Sequence, residues 1–512
     1  MLLKRIRQIL AVLVMLGITC YFLDFWGILS HKFHFLEHIQ LGPALLSGGM
    51  IALVAAVIVI VLSLVFGRIY CSVICPLGIF QDVINRIALA FNKKKKFKYI
   101  AENKGLRISF LVFFFLVLVF NIAFLVALIE PYSIYGRFVN NLFLPVFAGI
   151  NNVLAYIFNR FGNYSLYHIE VYIASVSSFI IALVSLVIIV ALAFKNGRIY
   201  CNTVCPVGTM LGYVSRFALL KPYIDVEKCN GCTVCSRKCK ASCIDAAKHR
   251  IDYSRCVDCF DCLTACKQGA IRYTWFPGKT TEKEIQKRET GGFASRRYFL
   301  ALSSLMVATA VEAKVVPKGK ISRGNSPRKQ PIVPPGGLSA ENFIDHCTAC
   351  HLCVSKCPSK VIKPAFTEYG FSGIMLPMLS YEKGFCNFDC TLCSDICPAH
   401  ALKPITREEK HKLKLGEVHF DVERCIVHTD HTSCGACSEH CPTQAVSMVK
   451  YEGELTIPHI EQDLCVGCGG CESVCPAIPQ KAIYVEGLSE HGEARKIEEN
   501  ASERIVLEDF GF

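Results

Sequence analysis

The sequence predicts a helical membrane domain of about four transmembrane helices, followed by small α+β modules. Three observations lead to this fold class. The first 200 residues contain four long apolar segments, and no segment of that length follows residue 314. Twenty-four of the thirty cysteines fall into six blocks of four. Lysine and arginine gather beside the apolar segments, which is typical of a membrane protein.

The four apolar segments are residues 9–29, 43–66, 106–129 and 170–194. Each is long enough to cross a hydrocarbon core of about 30 Å as an α-helix. Residues 141–158 are also apolar, but Pro145 and the Asn151-Asn152 pair favour an interfacial or re-entrant helix there. We therefore expect four transmembrane helices within residues 1–220.

The basic residues predict the orientation of these helices. Lysine and arginine are concentrated at the N-terminus, in residues 93–98 and at Lys195 and Arg198. Residues 30–42 contain only Lys32, and residues 131–167 contain only Arg137 and Arg160. The positive-inside rule then puts the N-terminus and residues 67–105 and 195–290 in the cytoplasm. The same rule accounts for the net charge of +13, so no nucleic-acid partner is predicted.

The cysteine blocks have a spacing that suits iron–sulfur clusters. Five follow the pattern C-x2-C-x2-C-x3-C or come within one residue of it, and the sixth is stretched after its first cysteine. The blocks are Cys229, Cys232, Cys235 and Cys239; Cys256, Cys259, Cys262 and Cys266; Cys347, Cys350, Cys353 and Cys357; Cys386, Cys390, Cys393 and Cys397; Cys425, Cys434, Cys437 and Cys441; Cys465, Cys468, Cys471 and Cys475. In such blocks three cysteines bind one [4Fe–4S] cluster, and the fourth binds the cluster of a partner block.

Six [4Fe–4S] clusters are therefore expected, and each needs one cysteine from a partner block. The expected sets are Cys229, Cys232 and Cys235 with Cys266; Cys256, Cys259 and Cys262 with Cys239; Cys347, Cys350 and Cys353 with Cys397; Cys386, Cys390 and Cys393 with Cys357; Cys425, Cys434 and Cys437 with Cys475; Cys465, Cys468 and Cys471 with Cys441. Zinc is disfavoured because structural zinc sites combine separated pairs of ligands. Disulfides are disfavoured because disulfide frameworks are typical of short secreted chains.

An internal repeat supplies a further candidate site. Residues 67–78 and 197–208 both read Gly-Arg-Ile-Tyr-Cys-x3-Cys-Pro-x-Gly, and each follows an apolar segment. Both motifs should face the cytoplasm, where Cys71, Cys75, Cys201 and Cys205 would either bind a further cluster or line the site that passes electrons from the membrane. The alternative is that Cys-Pro simply ends a helix. Glu130, before Pro131, is interpreted as a helix stop rather than as a proton acceptor.

Twin Cys-x3-Cys-Pro motifs followed by a two-cluster segment resemble the NapH-type membrane quinol dehydrogenase family over residues 1–275. The resemblance implies that electrons come from membrane quinol, so that the quinone pool is the electron donor, and leave through clusters on the cytoplasmic side. The chain departs from the family pattern at Lys240 and Lys267, which replace proline after Cys239 and Cys266. An additional Cys243 leaves the fourth ligand of that block open between Cys239 and Cys243.

The following segments extend the resemblance. Residues 295–300 read Ser-Arg-Arg-Tyr-Phe-Leu before an apolar stretch and resemble a twin-arginine export signal. The alternative is a basic linker that touches the membrane. The block order in residues 341–485 resembles a NapG-type four-cluster ferredoxin. The predicted domains are residues 1–220, a two-cluster ferredoxin at 221–280, a linker at 281–340, four-cluster ferredoxin-like polyferredoxin modules at 341–485 and a polar tail at 486–512.

These observations predict a membrane-bound iron–sulfur electron-transfer protein of the inner (cytoplasmic) membrane. It would oxidise quinol from the membrane pool and feed a terminal reductase, with residues 341–512 in the periplasm. Quinol dehydrogenase activity is a hypothesis at this point. The alternative keeps every cluster in the cytoplasm and makes the protein a membrane-anchored factor that supplies electrons for metalloenzyme maturation. The chain contains no nucleotide-binding motif.

Overall fold

A computed structural model describes residues 2–23, 39–47, 50–92, 96–120, 122–275 and 328–495. The twin-arginine-like segment and residues 496–512 of the predicted tail lie outside these ranges. Within them the chain forms a helical domain (residues 2–215), a first cysteine-rich module (residues 220–275) and a second one (residues 328–495).

Three helices among the described residues are long and apolar enough to cross a membrane: Leu2–Leu23, Pro131–Arg160 and Val176–Asn196. The hydropathy pattern predicts four. The predicted segment 43–66 overlaps the shorter helices Leu41–Ser47 and Met50–Phe66, and segment 106–129 overlaps Lys104–Val119 and Ala123–Ile129. The helical ladder is interrupted in the latter because the backbone of Ile122 adopts φ −93° and ψ 77°, outside the helical region. The remaining helices are Tyr70–Val73, Pro76–Phe91, Ile199–Thr203 and Pro206–Ser215.

The stretch Pro131–Arg160 accommodates the residues that argue, in sequence, against a long helix. It consists of Pro131–Phe138, the π-helical turn Val139–Phe143 and Leu144–Arg160. Pro145 lies in the first turn of the last segment, where a missing amide hydrogen costs little. The Asn151 side chain donates to the Tyr167 carbonyl at 2.9 Å, and that of Asn152 donates to the Ile169 carbonyl at 2.7 Å. Both asparagines therefore satisfy the backbone of the segment that follows the helix.

The first module contains two short antiparallel sheets, Leu220–Ile224 with Ile271–Trp275 and Ile244–Asp245 with Arg250–Ile251. Its helices are Val234–Lys238 and Asp261–Ala265. Four helices of the helical domain each have one end against it. The contacts are Lys4 Nζ to Asp261 at 2.8 Å, the Tyr273 hydroxyl to the Phe66 carbonyl at 3.0 Å, Arg107 to the Ser254 hydroxyl at 2.9 Å and the Arg198 amide to the Lys240 carbonyl at 3.0 Å.

The second module contains three antiparallel pairs: Ile362–Pro364 with Pro377–Leu379, Leu413–Phe420 with Ile483–Glu493, and Val446–Lys450 with Thr456–Ile460. Its α-helices are Ala340–His346, Leu352–Lys356, Leu392–Asp395, Arg407–Lys412, Ile426–Thr429, Ala436–Glu439 and Gly470–Val474. Ile332 forms a β-bridge to Leu379, and the last strand continues to Glu493. The module therefore extends beyond the predicted limits of 341 and 485, because cysteine spacing locates ligands and not the strands around them.

The two modules lie at opposite ends of the N-terminal helix Leu2–Leu23. Lys4 pairs with Asp261 of the first module, and Lys356 Nζ of the second module lies 4.6 Å from the centre of the Tyr21 ring. Tyr21 follows Lys4 by seventeen residues. At about 1.5 Å per residue these contacts are about 26 Å apart along the helix, close to the thickness of a hydrocarbon core.

Candidate functional site: cysteine sets along the helical domain

Both copies of the repeated motif meet inside the helical domain. Cys71, Cys75, Cys201 and Cys205 are each between 3 and 4% exposed. The Cys75 thiol interacts electrostatically with Cys71 and Cys201, and the Cys205 thiol with the other three. Cys75 and Cys205 immediately precede the helices that begin at Pro76 and Pro206, so each motif does end one helix and start the next. The fold nevertheless brings all four thiols together, which a helix stop alone would not require.

Each motif binds the backbone of the other. Arg68 donates to the Cys201 carbonyl at 3.1 Å, and Arg198 donates to the Cys71 carbonyl at 2.5 Å. The glycines at the ends of the motifs leave room for these arginines. A β-carbon on Gly78 would lie 3.2 Å from Arg198 Nη1, and one on Gly208 would lie 2.8 Å from Arg68 Nη2. Each would also clash with a carbonyl oxygen of its own motif, that of Cys71 or Cys201. The spacing of the cysteines predicts no role for these arginines. Their identical position in both motifs is the sequence feature that could have indicated one.

Several groups donate hydrogen bonds to the motif sulfurs. Gln81 Nε2 lies 3.2 Å from Cys201 Sγ, the Gly208 amide lies 3.3 Å from Cys205 Sγ, and Arg68 lies 3.8 Å from Cys71 Sγ. Hydrogen bonds to cysteine sulfur and burial both tune iron–sulfur centres. Four buried thiols with nearby donors are therefore a donor set that fits a cluster.

Asp82 lies next to this site and receives three cations. Arg198 is 2.7 Å away, Lys240 of the first module 2.7 Å and Arg7 of the N-terminal helix 3.2 Å. Burial alone would raise the pKa of the Asp82 carboxyl, but the three cations hold that pKa well below its usual range. The carboxylate thus ties the N-terminal helix, the second motif and the first module together.

The first module has two cavities. Cys229, Cys232, Cys235 and Cys266 line one of them. Cys239, Cys243, Cys256, Cys259 and Cys262 line the other. These are the groupings that the pairing rule predicts, with Cys243 added to the second. Cys239 Sγ and Cys243 Sγ are 3.5 Å apart, so the structure places both candidate fourth ligands at the same cavity.

The second module groups its cysteines in the same crossed manner. Each crossed cysteine lies close enough to its partner block to interact electrostatically with a thiol there. Cys397 lies beside the Cys347 block, Cys357 beside the Cys386 block, Cys475 beside the Cys425 block and Cys441 beside the Cys465 block. The Cys425 set lines a cavity. In the part of the chain that the structure describes, no three His, Cys, Asp or Glu side chains are arranged to hold a single metal ion. Four thiols around an apolar cavity are instead the donor set that a [4Fe–4S] cluster requires.

The four sets of the second module are connected by a series of contacts that starts at the helical domain. Gly136 packs against the Cys350 carbonyl, and Arg137 donates to the Ala349 carbonyl at 3.4 Å. The Cys347 set shares its crossed cysteines with the Cys386 set. The Cys386 amide then donates to the Cys468 carbonyl at 2.9 Å, and the Tyr381 hydroxyl donates to the Gly467 carbonyl at 2.8 Å. The Cys425 set comes last, paired with the Cys465 set.

Two other polar residues have structural roles. Glu130 caps the helix Pro131–Phe138, and its carboxylate accepts a hydrogen bond from the Tyr132 amide at 3.0 Å. His428, next to the stretched block, pairs with the Tyr451 hydroxyl at 2.8 Å. The interpretation of Glu130 as a helix-terminal residue agrees with this geometry.

The fold and the cysteine sets define an iron–sulfur electron-transfer protein of the ferredoxin type that carries apolar helices able to span a membrane. Two protein families match parts of the chain. Residues 49–98 and 178–223, which include both repeated motifs, match the 4Fe-4S binding domain family. Residues 432–478 match the 4Fe-4S dicluster domain family.

Known proteins resemble different parts of the chain. An uncharacterised protein of Methanocaldococcus jannaschii is 25% identical over 282 residues, which are 55% of this chain and 90% of that protein. The methylamine utilization ferredoxin-type protein MauM of Methylobacillus flagellatus is 28% identical over 202 residues, 37% of this chain and 82% of MauM. The ferredoxin-type protein NapG of Escherichia coli K12 is 29% identical over 170 residues, 30% of this chain and 70% of NapG. No solved structure matches.

Proposed function

We propose that the chain joins a NapH-like quinol dehydrogenase to a NapG-like ferredoxin, and that it relays electrons from membrane quinol through [4Fe–4S] clusters to a terminal reductase. One observation carries the proposal. The four motif thiols lie inside the helical domain, and a cysteine-rich module is docked at each end of that domain. A carrier that worked on one side of the membrane would have no need of this arrangement.

In this proposal the six crossed cysteine sets hold six [4Fe–4S] clusters, and Cys71, Cys75, Cys201 and Cys205 hold a seventh. Bound clusters would supply one-electron storage and transfer. The protein would position them and tune them through the donors at the sulfurs, such as Gln81 at Cys201 and Lys410 at Cys386. Whether Cys239 or Cys243 completes its set is a question for single substitutions at each position.

The proposed topology has four helical crossings within residues 1–220, at Leu2–Leu23, Met50–Phe66, Lys104–Val119 and Val176–Asn196. It is supported by the four helix ends that meet the first module. The positive-inside rule puts that module in the cytoplasm. The second module contacts the opposite end of the N-terminal helix, so it would lie in the periplasm. The chain would then cross the membrane once more between the two modules, by export through the twin-arginine-like signal. Pro131–Arg160 would then be interfacial. Its first turns touch the second module at Cys350, and the loop bound by Asn152 reaches the second module where the Glu170 carbonyl accepts from Lys360 at 3.2 Å.

Protease or thiol-label access to the second module in intact spheroplasts tests the topology. Access in the native chain, lost in the Arg296→Lys, Arg297→Lys double variant, is the result expected for export. Protection in both chains would overturn the periplasmic placement. It would favour instead the maturation factor that supplies electrons in the cytoplasm.

Quinol oxidation needs a separate test. Membranes that contain the protein are mixed with a short-chain quinol, and cluster reduction is followed by electron paramagnetic resonance. The Cys71→Ser, Cys201→Ser double variant should lose the reduction by quinol while dithionite still reduces the outer sets. Cys20→Ser is the matched control, because Cys20 is exposed on the N-terminal helix and belongs to no set. Equal rates in both variants would rule out a role for the four motif thiols.

A further inference from the structure

The Cys229 set forms the solvent end of the first module. Cys232 is exposed, as are its neighbours Asn230 and Gly231, and all three line the cavity of that set. The buried polar contacts of the module with the helical domain include two on the side of its other cavity. Lys240 reaches Asp82, and the Ser254 carbonyl accepts from Arg68 at 3.0 Å. The Cys229 set therefore faces away from the helical domain.

The fully exposed charged residues of this module are mostly basic, although half-buried Asp225 lies 3.8 Å from Lys228 Nζ. Its exposed charged residues include one carboxylate, Glu227, and seven cations: Lys228, Arg237, Lys238, Lys248, Arg250, Lys267 and Arg272. Three of these cations adjoin the cavity of the Cys229 set on three separate segments. Lys228 precedes Cys229, Lys248 precedes His249, and Lys267 lies between Cys266 and Gln268, and each of these neighbours lines the cavity. We call Lys228, Lys248 and Lys267 the lysine rim.

We propose that the lysine rim is the docking surface for a small acidic electron-carrier protein. The inference rests on the proposed cluster ligation by the Cys229 set. It gives this chain a second protein partner besides the terminal reductase. Charge complementarity around a redox centre brings the partner to it in the correct orientation and speeds encounter. Exposed lysines suit such a transient contact, because a surface ion pair is weak and the lysines are hydrated again when the partner leaves.

Anionic lipid is the other surface that would attract these lysines. The positive-inside rule explains basic residues next to membrane helices. The lysine rim lies instead at the cavity that faces away from the helical domain, on the side opposite to Lys240 and Ser254. The position therefore favours a soluble partner over a headgroup.

Binding can be measured with the full-length protein in zwitterionic nanodiscs and an oxidised acidic plant-type [2Fe–2S] ferredoxin as the probe. Basic cytochrome c is the charge-reversed probe. The rim variant is Lys228→Glu, Lys248→Glu, Lys267→Glu. The matched control carries the same charge change at exposed lysines of the second module, Lys403→Glu, Lys412→Glu, Lys450→Glu. Iron content and the resonance spectrum of both variants report whether the clusters are intact.

The expected result is saturable binding of the ferredoxin that weakens when ionic strength rises from about 0.01 to 0.15 M. The rim variant should lose about tenfold or more in affinity, while the control variant binds as the native protein does. Cytochrome c should show the opposite preference. Absence of ferredoxin binding, or an equal loss in both variants, would overturn the proposal. Rim-dependent binding to phosphatidylglycerol vesicles without ferredoxin binding would assign the surface to lipid. Because the probe is oxidised and no quinol is present, none of these outcomes depends on quinol oxidation.

Discussion

Lys240 Nζ lies 2.7 Å from Asp82 Oδ2 and joins the first module to the helical domain. Lys240 occupies the position after Cys239 where the NapH-type pattern has proline, so the departure from that pattern has a structural explanation. A proline there would offer no cation to Asp82. The Lys240 carbonyl also accepts a hydrogen bond from the Arg198 amide at 3.0 Å, which a proline could still accept.

Asp82→Asn should destabilise the junction strongly. Arg198, Lys240 and Arg7 are buried, with side chains 0%, 7% and 5% exposed, and the substitution removes the carboxylate that all three share. Lys240 keeps only the longer contact with Asp261, at 3.5 Å. Removing one partner of a buried ion pair typically costs about 3–5 kcal/mol. Thermal unfolding of the purified protein, followed by the visible absorbance of the clusters, measures the loss.

Lys4→Ala is the control for this prediction. It removes a contact between the same two parts of the chain, but Lys4 and Asp261 are 29% and 22% exposed. Surface pairs of this kind contribute about 1 kcal/mol or less. If both variants lost stability equally, the buried charge cluster around Asp82 would not be the junction that we describe.

The stability of the second module should fall in mild acid. Burial lowers the pKa of His491 from 6.5 to about 4, and the charge of Lys410 acts in the same direction. Between these values the unfolded chain binds a proton that the folded chain does not. The contribution of His491 to the free energy of unfolding is therefore fully present above about pH 6.5. It decreases by roughly 3 kcal/mol as the pH falls to about 4.

Comparison of variants isolates this effect from the general acid sensitivity of clusters. Limited proteolysis of the second module is measured across the pH range in the native chain, in His491→Gln and in His428→Gln, a control at an exposed side chain. The His491→Gln curve should be flatter, while the control should follow the native curve. A native curve that His491→Gln leaves unchanged would assign the acid sensitivity elsewhere.

Lys410 should raise the reduction potential at the Cys386 set. Its side chain is buried, and Nζ lies 3.4 Å from Cys386 Sγ. A cation that donates to sulfur favours the reduced state, which carries one more negative charge. Lys410→Met should therefore lower the potential, and a shift of about 60 mV would correspond to a tenfold change in the one-electron equilibrium. Lys412→Met, exposed on the same helix, should leave it unchanged in a redox titration followed by paramagnetic resonance.

The sequence predicted most of the cysteine geometry because ligand spacing is local and the crossing of partner blocks follows from it. The helical domain was harder to predict. In the sequence, Pro145 and the Asn151-Asn152 pair argue against a long helix. In the structure, Pro145 lies in a first helical turn, and the asparagine side chains donate to the carbonyls of Tyr167 and Ile169. The contacts of Lys240 with Asp82 and of Gly136 with Cys350 join residues far apart in sequence, so no local pattern could indicate them.

Gly136→Val should weaken electron transfer between the helical domain and the second module. A β-carbon at Gly136 would lie 2.4 Å from the Cys350 carbonyl oxygen, and a backbone atom cannot move aside without displacing the Cys347 set. Overpacking of this kind costs about 1–3 kcal/mol, enough to loosen the docking of the second module.

With quinol as donor, Gly136→Val should therefore slow reduction of the second module while the first module is still reduced at the native rate. Gly149→Val is the matched control, because a β-carbon on Gly149 has nothing within 4 Å. Both variants should bind the same amount of iron. Slow reduction of both modules in Gly136→Val would indicate damage to the shared four-thiol site, and native rates at both would mean that electrons do not enter the second module beside Cys350.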